Sequence, residues 1–230
     1  MDRVKEHLMD IVILVILAPL LITIIVLTVM NAAHKEEEQG ALEPETVLED
    51  PCLNMTPEEK EELIYRTLLE AGFSPAGACG IMGSIAVESP DFDSSAVNEK
   101  SGAYGLFQWT DDGDRKQALK EYCIEHDLSR DSIDAQLAFA IYEIGGADPI
   151  ACRLDRLLRE TDDAYAAAAE FAVGFERCIT DDAGRADTYT GSLYPEFYGK
   201  RYQHLSKRIN KALNYYNRLA SDSMSDRLDQ

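Results

Sequence analysis

The sequence predicts an α+β chain: a mainly α-helical domain with a small β-hairpin region, preceded by one transmembrane helix. Three observations carry this reading. Ile11 to Met30 runs twenty residues without a charge; apolar residues recur at helical spacing from Leu63 to Leu219; and Gly102 to Trp109 (GAYGLFQW) breaks that period with glycines and aromatics. With 46% apolar residues and eight prolines in 230, wholesale disorder is excluded.

The apolar run spans about 30 Å as a helix, the thickness of a bilayer's hydrocarbon core. Pro19 is tolerable inside such a span. A cleaved signal peptide would have a shorter apolar region and a small-x-small cleavage site, whereas Met30-Asn31-Ala32-Ala33 follows here. Arg3 and Lys5 before the span, against Lys35 after it, favour a cytoplasmic N-terminus and an extracellular remainder. Residues 1–10 are therefore read as a cytoplasmic N-terminus and 11–30 as the anchor. Residues 31–52 form an acidic tether, with seven acids and one Lys between Asn31 and Pro51. The folded domain takes 53–221, and 222–230 is a C-terminal tail.

The domain opens at Thr56-Pro57-Glu58-Glu59, a capping box with proline at the first helical position. Leu63, Ile64, Leu68 and Ala71 continue that helix, and Gly72 stops it. Further helices are expected over Ala76–Val87, Asp114–His126, Ile133–Ile144, a short one around Leu154–Leu158, then Ala164–Phe175 and Leu205–Leu219.

Acidic residues outnumber basic ones 42 to 22, a formal charge of −20, which argues against direct nucleic-acid binding. Phe197 to Ala220 is the exception, with six Lys/Arg and no acid; this helix either faces an anionic polymer or offsets the acidic body internally. Cys52, Cys79, Cys123, Cys152 and Cys178 show no CxxC spacing or neighbouring His cluster, so no metal and no cofactor is expected. A Cys152–Cys178 bridge is the expected pairing. His7, His34, His126 and His204 are too scattered to serve a cysteine nucleophile.

Glu88 closes an apolar helix immediately before Ser89-Pro90. A helix C-terminus and apolar neighbours (Ile85, Val87, Phe92) both disfavour a charged carboxylate, so the sequence predicts a general acid there, against the alternative of a solvated side chain. Beyond it, Ser101 and Gly102 lead into Tyr104, Gln108 and Trp109. Gly102 and Gly105 let a ligand approach the backbone; Tyr104 and Trp109 offer flat faces to sugar rings, and Gln108 both donates and accepts hydrogen bonds. Tyr142, in QLAFAIYEI, completes the expected substrate-binding set.

The order GIMGSIAVES then SGAYGLFQWT resembles the Glu-Ser and Gly-Leu-x-Gln motifs of the goose-type lysozyme and lytic transglycosylase superfamily. More closely, it resembles the phage tail lysozyme domain, found also in wall hydrolases of Gram-positive bacteria and their mobile elements. The likeness continues through Gly113–Leu119, residues 136–144, Phe175-Glu176-Arg177 and the last helix with Arg208 and Tyr215-Tyr216.

The resemblance implies a lysozyme-like fold and cleavage of the β-1,4 bond between N-acetylmuramic acid and N-acetylglucosamine in peptidoglycan, with Glu88 as catalytic acid. A second carboxylate is needed if water is the nucleophile. Asp91, Asp93, Asp111 and Asp112 are candidates, Asp111 and Asp112 being preferred because the chain returns there past the Glu88 helix. Without one, the substrate's own hydroxyl attacks, as in a lytic transglycosylase. A catalytically silent wall-binding module is the remaining alternative. The expected setting is the cell membrane of a Gram-positive host, with peptidoglycan strands as substrate and a secretion or DNA-transfer apparatus as the process served.

Overall fold

The computed structural model describes residues 55–220 apart from 183 and 185; the side chain of Asp112 is also outside that description. The expected anchor, tether and tail lie outside the described residues. Among the described residues no helix is long and apolar enough to cross a membrane.

Seven helices and one two-stranded sheet make up the described domain: α1 (Pro57–Glu70), α2 (Pro75–Glu88), α3 (Arg115–Glu125), α4 (Ile133–Tyr142), α5 (Leu154–Glu160), α6 (Ala164–Phe171), β1 (Ala186–Thr188), β2 (Arg201–Gln203) and α7 (Leu205–Tyr215). Wide π-type turns extend α4 over 143–147, α6 over 172–176 and α7 over 216–220. The capping box at α1 forms as its sequence predicts: Glu59 N donates to Thr56 Oγ1 at 3.2 Å and Thr56 N to Glu59 Oε2 at 2.7 Å. Ser74 caps α2, accepting from Gly77 N at 2.9 Å, and donates across to Thr161 O at 2.6 Å.

α2 is the axis of the domain. Every residue from Ala76 to Ile85 is buried, so the helix is covered on all sides. Its glycines make this possible. A Cβ on Gly77 would meet Leu158 O of α5 at 1.9 Å, one on Gly80 the Ala167 Cβ of α6 at 2.6 Å, and one on Gly83 the Arg208 O of α7 at 2.5 Å. Three neighbouring helices thus touch α2 nearly backbone to backbone, and the last contact brings Arg208 alongside Glu88.

The segment between α2 and α3 is pinned rather than paired. Gln136 of α4, fully buried, accepts from Leu106 N at 2.8 Å and donates to Ser94 O at 2.7 Å and Arg130 O at 2.8 Å. Gly105, at φ +77°, leaves room for that amide, whose Oε1 would lie 2.5 Å from a Cβ. The hairpin expected over Gly102–Trp109 is reduced to isolated bridges, Val97 with Tyr104 and Tyr104 with Trp109. The sheet lies elsewhere: β1 and β2 are antiparallel, with Ala186 opposite Gln203 and Thr188 opposite Arg201. The turns at Gly102 and Gly105 make the stretch too tight for a ladder, while residues 186–203 have length for one.

Candidate active site

A cavity of about 500 Å³ opens at the C-terminal end of α2. Four parts of the chain contribute charged groups to its wall: Glu88 from α2, Arg115 from α3, Asp148 beyond α4, and Glu176 and Arg177 beyond α6. Asn98, Ser101, Gln108, Thr110 and Gln203 add neutral hydrogen-bonding groups, and Cys178 a thiol. A pocket with this lining suits a polyhydroxyl ligand.

Glu88 does not sit among apolar side chains as its sequence neighbours suggest. Its Oε1 accepts from Arg208 Nη2, an ion pair in which the carboxylate side chain is 22% exposed and the arginine 2%. Arg208 also lies 3.3 Å from Cys178 Sγ and 3.4 Å from Ser84 O. Burial opposes its charge, but the acidic groups around it, Glu176, Cys178 and Glu88, more than offset this and raise its pKa.

Glu176 is the second carboxylate of the cavity. Burial, and then the negative charge of Glu88, push its pKa up to about 8, with Arg208 and Arg115 pulling the other way. Its Oε1 is shut off from solvent and has no hydrogen-bond partner among the described residues. The turn that presents it is rigidly held. Arg115 grips Glu143 through two nitrogens, at 2.7 and 2.9 Å, donates to Phe175 O at 2.9 Å and lies 4.4 Å above the Phe175 ring. Arg177, at φ +56°, reverses the chain after Glu176 and pairs with Asp148. Asp148 also accepts from Ile150 N and Ala151 N at 2.8 Å; burial opposes its charge, but these bonds and Arg177 hold it ionised, below the ordinary carboxylate range.

Of the residues expected from sequence, Glu88, Ser101, Gln108 and Trp109 reach the cavity wall. Gln108 spends its Nε2 on Gly105 O at 2.9 Å and Ala96 O at 3.3 Å. Trp109 is buried; Phe107 at 5.1 Å and Phe139 at 5.5 Å flank its ring, and its Nε1 donates to Glu143 at 3.1 Å, so its faces belong to the core rather than to a sugar. Tyr104 is a core residue too, bonded to Asp131 beneath the Arg130 guanidinium. Gly102 is not among the lining residues; its carbonyl accepts from Lys116 Nζ at 2.9 Å.

Asp111 is exposed and salt-bridged to Lys116 at 3.2 Å, outside the cavity lining; Asp112, as to its side chain, lies outside the description. Asp93 bonds Ser95, and Asp91 is exposed. Tyr142 is 54% exposed and packs on Tyr122, with ring centroids 5.2 Å apart, away from the lining residues. The expected Cys152–Cys178 bridge is absent: both thiols are free, Cys152 facing Pro149 O and Cys178 facing Arg208. Of the basic last helix, Arg208 is turned inward to Glu88 and Arg218 pairs with Glu61, so part of its charge offsets the body internally. Among the described residues, no three His, Cys, Asp or Glu side chains gather to hold a metal.

Glu176 was open to the reasoning that selects Glu88. The stretch AAAAEFAVGFE is another small-residue helix ending in a carboxylate.

No curated protein matches the chain. A family profile described as phage tail lysozyme matches residues 59–219, nearly the whole described domain. Lysozyme-like domains act on peptidoglycan, which gives the chain a peptidoglycan-lytic activity in general terms. The chain belongs to the phage tail lysozyme family.

Proposed function

We propose that the protein is a membrane-anchored N-acetylmuramidase that cleaves the β-1,4 bond between N-acetylmuramic acid and N-acetylglucosamine outside the cell, opening the wall locally. Glu88 is the catalytic carboxylate, delivering a proton to the glycosidic oxygen as the C1–O bond breaks through an oxocarbenium-like transition state. The observation that supports this best is the placement of Glu88 in a cavity whose wall is mostly polar and which holds a second carboxylate, Glu176. Asn98, Ser101, Gln108, Thr110 and Gln203 are the groups that would take sugar hydroxyls and N-acetyl oxygens. The anchor over residues 11–30 and the Gram-positive setting belong to this proposal and rest on the sequence.

A lytic transglycosylase on the same bond is the second reading. It is supported by Asp111, which is exposed, paired with Lys116 and not part of the cavity lining.

The full chain should clear purified peptidoglycan, and Glu88→Gln should lose about 10²–10⁴-fold in rate. Fragments carrying an added water identify hydrolysis; fragments lighter by a water identify transglycosylation. Equal clearing by wild type and Glu88→Gln, or none by either, would overturn the proposal.

A further inference from the structure

The pairing of Glu88 with Arg208 poses a chemical difficulty for a general acid. A general acid must hold a proton, yet Glu88 is ion-paired with a buried arginine, and that pairing uses the carboxylate form. The proton has to come from somewhere else.

Two complementary unsatisfied groups lie at this end of α2. Arg208 Nε is a buried donor without an acceptor, and Glu176 Oε1 is a buried acceptor without a donor. Both residues belong to one cluster: Glu176 and Glu88 share the cavity wall, and Arg208, paired with Glu88, is charge-coupled to Glu176 as well. Buried polar atoms left unpaired are costly, so their coincidence here marks an arrangement with a second setting. Two carboxylates around one guanidinium form a neutral unit only when they carry a single proton between them.

We propose, on the premise that Glu88 cleaves glycan, that Glu176 stores the proton Glu88 delivers, and that Arg208 holds whichever of the two carboxylates is ionised. In the resting protein Arg208 pairs with ionised Glu88, and Glu176 is the protonated acid. When a glycan enters, the proton passes from Glu176 to Glu88, and the guanidinium turns its free Nε–H side to the Glu176 carboxylate. Glu88 then gives the proton to the glycosidic oxygen as C1–O breaks. The attacking hydroxyl, of water or of the substrate, bonds to C1 and releases its own proton, which refills the pair. One bond is broken, one is formed, and the proton count of the site is restored. Glu176 is thus a positioning residue that acts through Glu88.

The charges facing Glu176 from each side are consistent with this. Glu88 from α2 and Glu143 from the turn after α4 oppose its ionisation, while Arg208 from α7 and Arg115 from α3 favour it. Asp148 and Arg177 on the same wall are spent on each other, and the Cys178 thiol, pushed up to about 11 chiefly by burial, stays neutral.

The test compares Glu176→Gln and Glu176→Asp with wild type in full-chain form. Gln imitates the protonated side chain but cannot give up a proton. The expected result is a loss of about tenfold or more in rate at neutral pH, with the optimum moved to the acid side and partial return in Glu176→Asp. A wild-type pH–rate profile in Glu176→Gln would overturn the inference, because a merely structural neutral carboxyl is replaced by Gln without consequence.

A second readout needs no catalysis. The folded chain keeps the Glu176 proton up to about pH 8, whereas the unfolded chain releases it near 4.5. The folded state therefore binds more protons in that window, and stability should fall as pH rises from about 4.5 to 8 and level off above. Glu176→Gln should remove that fall. If the two curves coincide, the stored proton does not exist. If they differ as expected and peptidoglycan is still untouched, the store stands and the muramidase reading fails.

Discussion

Two helices of this protein end alike and differ in what meets them. α2 and α6 are both built from small residues, both are mostly buried, and each leads into a glutamate on the wall of one cavity. At Glu88 a guanidinium from α7, 120 residues further along the chain, pairs with the carboxylate. At Glu176 the carboxyl group turns inward, with one oxygen sealed and unpaired. Residue type and position at a helix end are equal in the two, so the difference is made by a distant cation. That cation divides the labour: one carboxyl is ionised, the other protonated with one oxygen sealed from solvent.

The comparison is broken most severely at Arg208. Arg208→Met leaves Glu88 and Glu176 without their shared cation and should cost about 3–5 kcal/mol at neutral pH by urea unfolding. An unchanged midpoint would mean that the guanidinium does not organise the two ends.

Gly83→Ala attacks the same contact through the backbone. Its methyl group would meet Arg208 O at 2.5 Å and force α7 away from α2, with an expected loss of about 1–3 kcal/mol and weakened peptidoglycan clearing. Glu88→Gln should cost less, about 1 kcal/mol, because Glu176 can ionise and take over Arg208. A larger loss than in Arg208→Met would reverse the proposed dependence.

The smallest effect is expected at Asp111→Asn, whose exposed pairing with Lys116 should leave stability within about 0.5 kcal/mol and clearing unaltered.

What was legible in the sequence follows the range of the forces involved. The helices are written in local terms: the capping box at Thr56, the apolar stripe through Ile133, Leu137 and Ile144, and the Gly-rich run that lets α2 be enclosed. The placement of Glu88 at a helix end is local as well. Arg208 opposite it is not, since nothing in the local spacing says which of the six cations between Phe197 and Ala220 turns inward; the close approach at Gly83 decides that. Trp109 and Tyr104 have the composition of a sugar platform, but their faces are consumed by Phe107, Phe139 and Arg130, which only tertiary packing reveals. The expected hairpin gave way because the Gln136 amide braces that loop in place of a strand partner. Glu176 carried the same local signal as Glu88; what sets the two apart, Arg208 on Glu88 and Arg177 drawn off to Asp148, is tertiary.

The most direct measurement of the central claim is a chemical-shift titration of glutamate side-chain carboxyl carbons in the full chain, with Glu176 assigned through its Gln variant. The account predicts a Glu176 midpoint near 8 in the wild type, lowered in Glu88→Gln, where the neighbouring negative charge is gone. A Glu176 that titrates near 4.5, the ordinary glutamate value, in both proteins would contradict it.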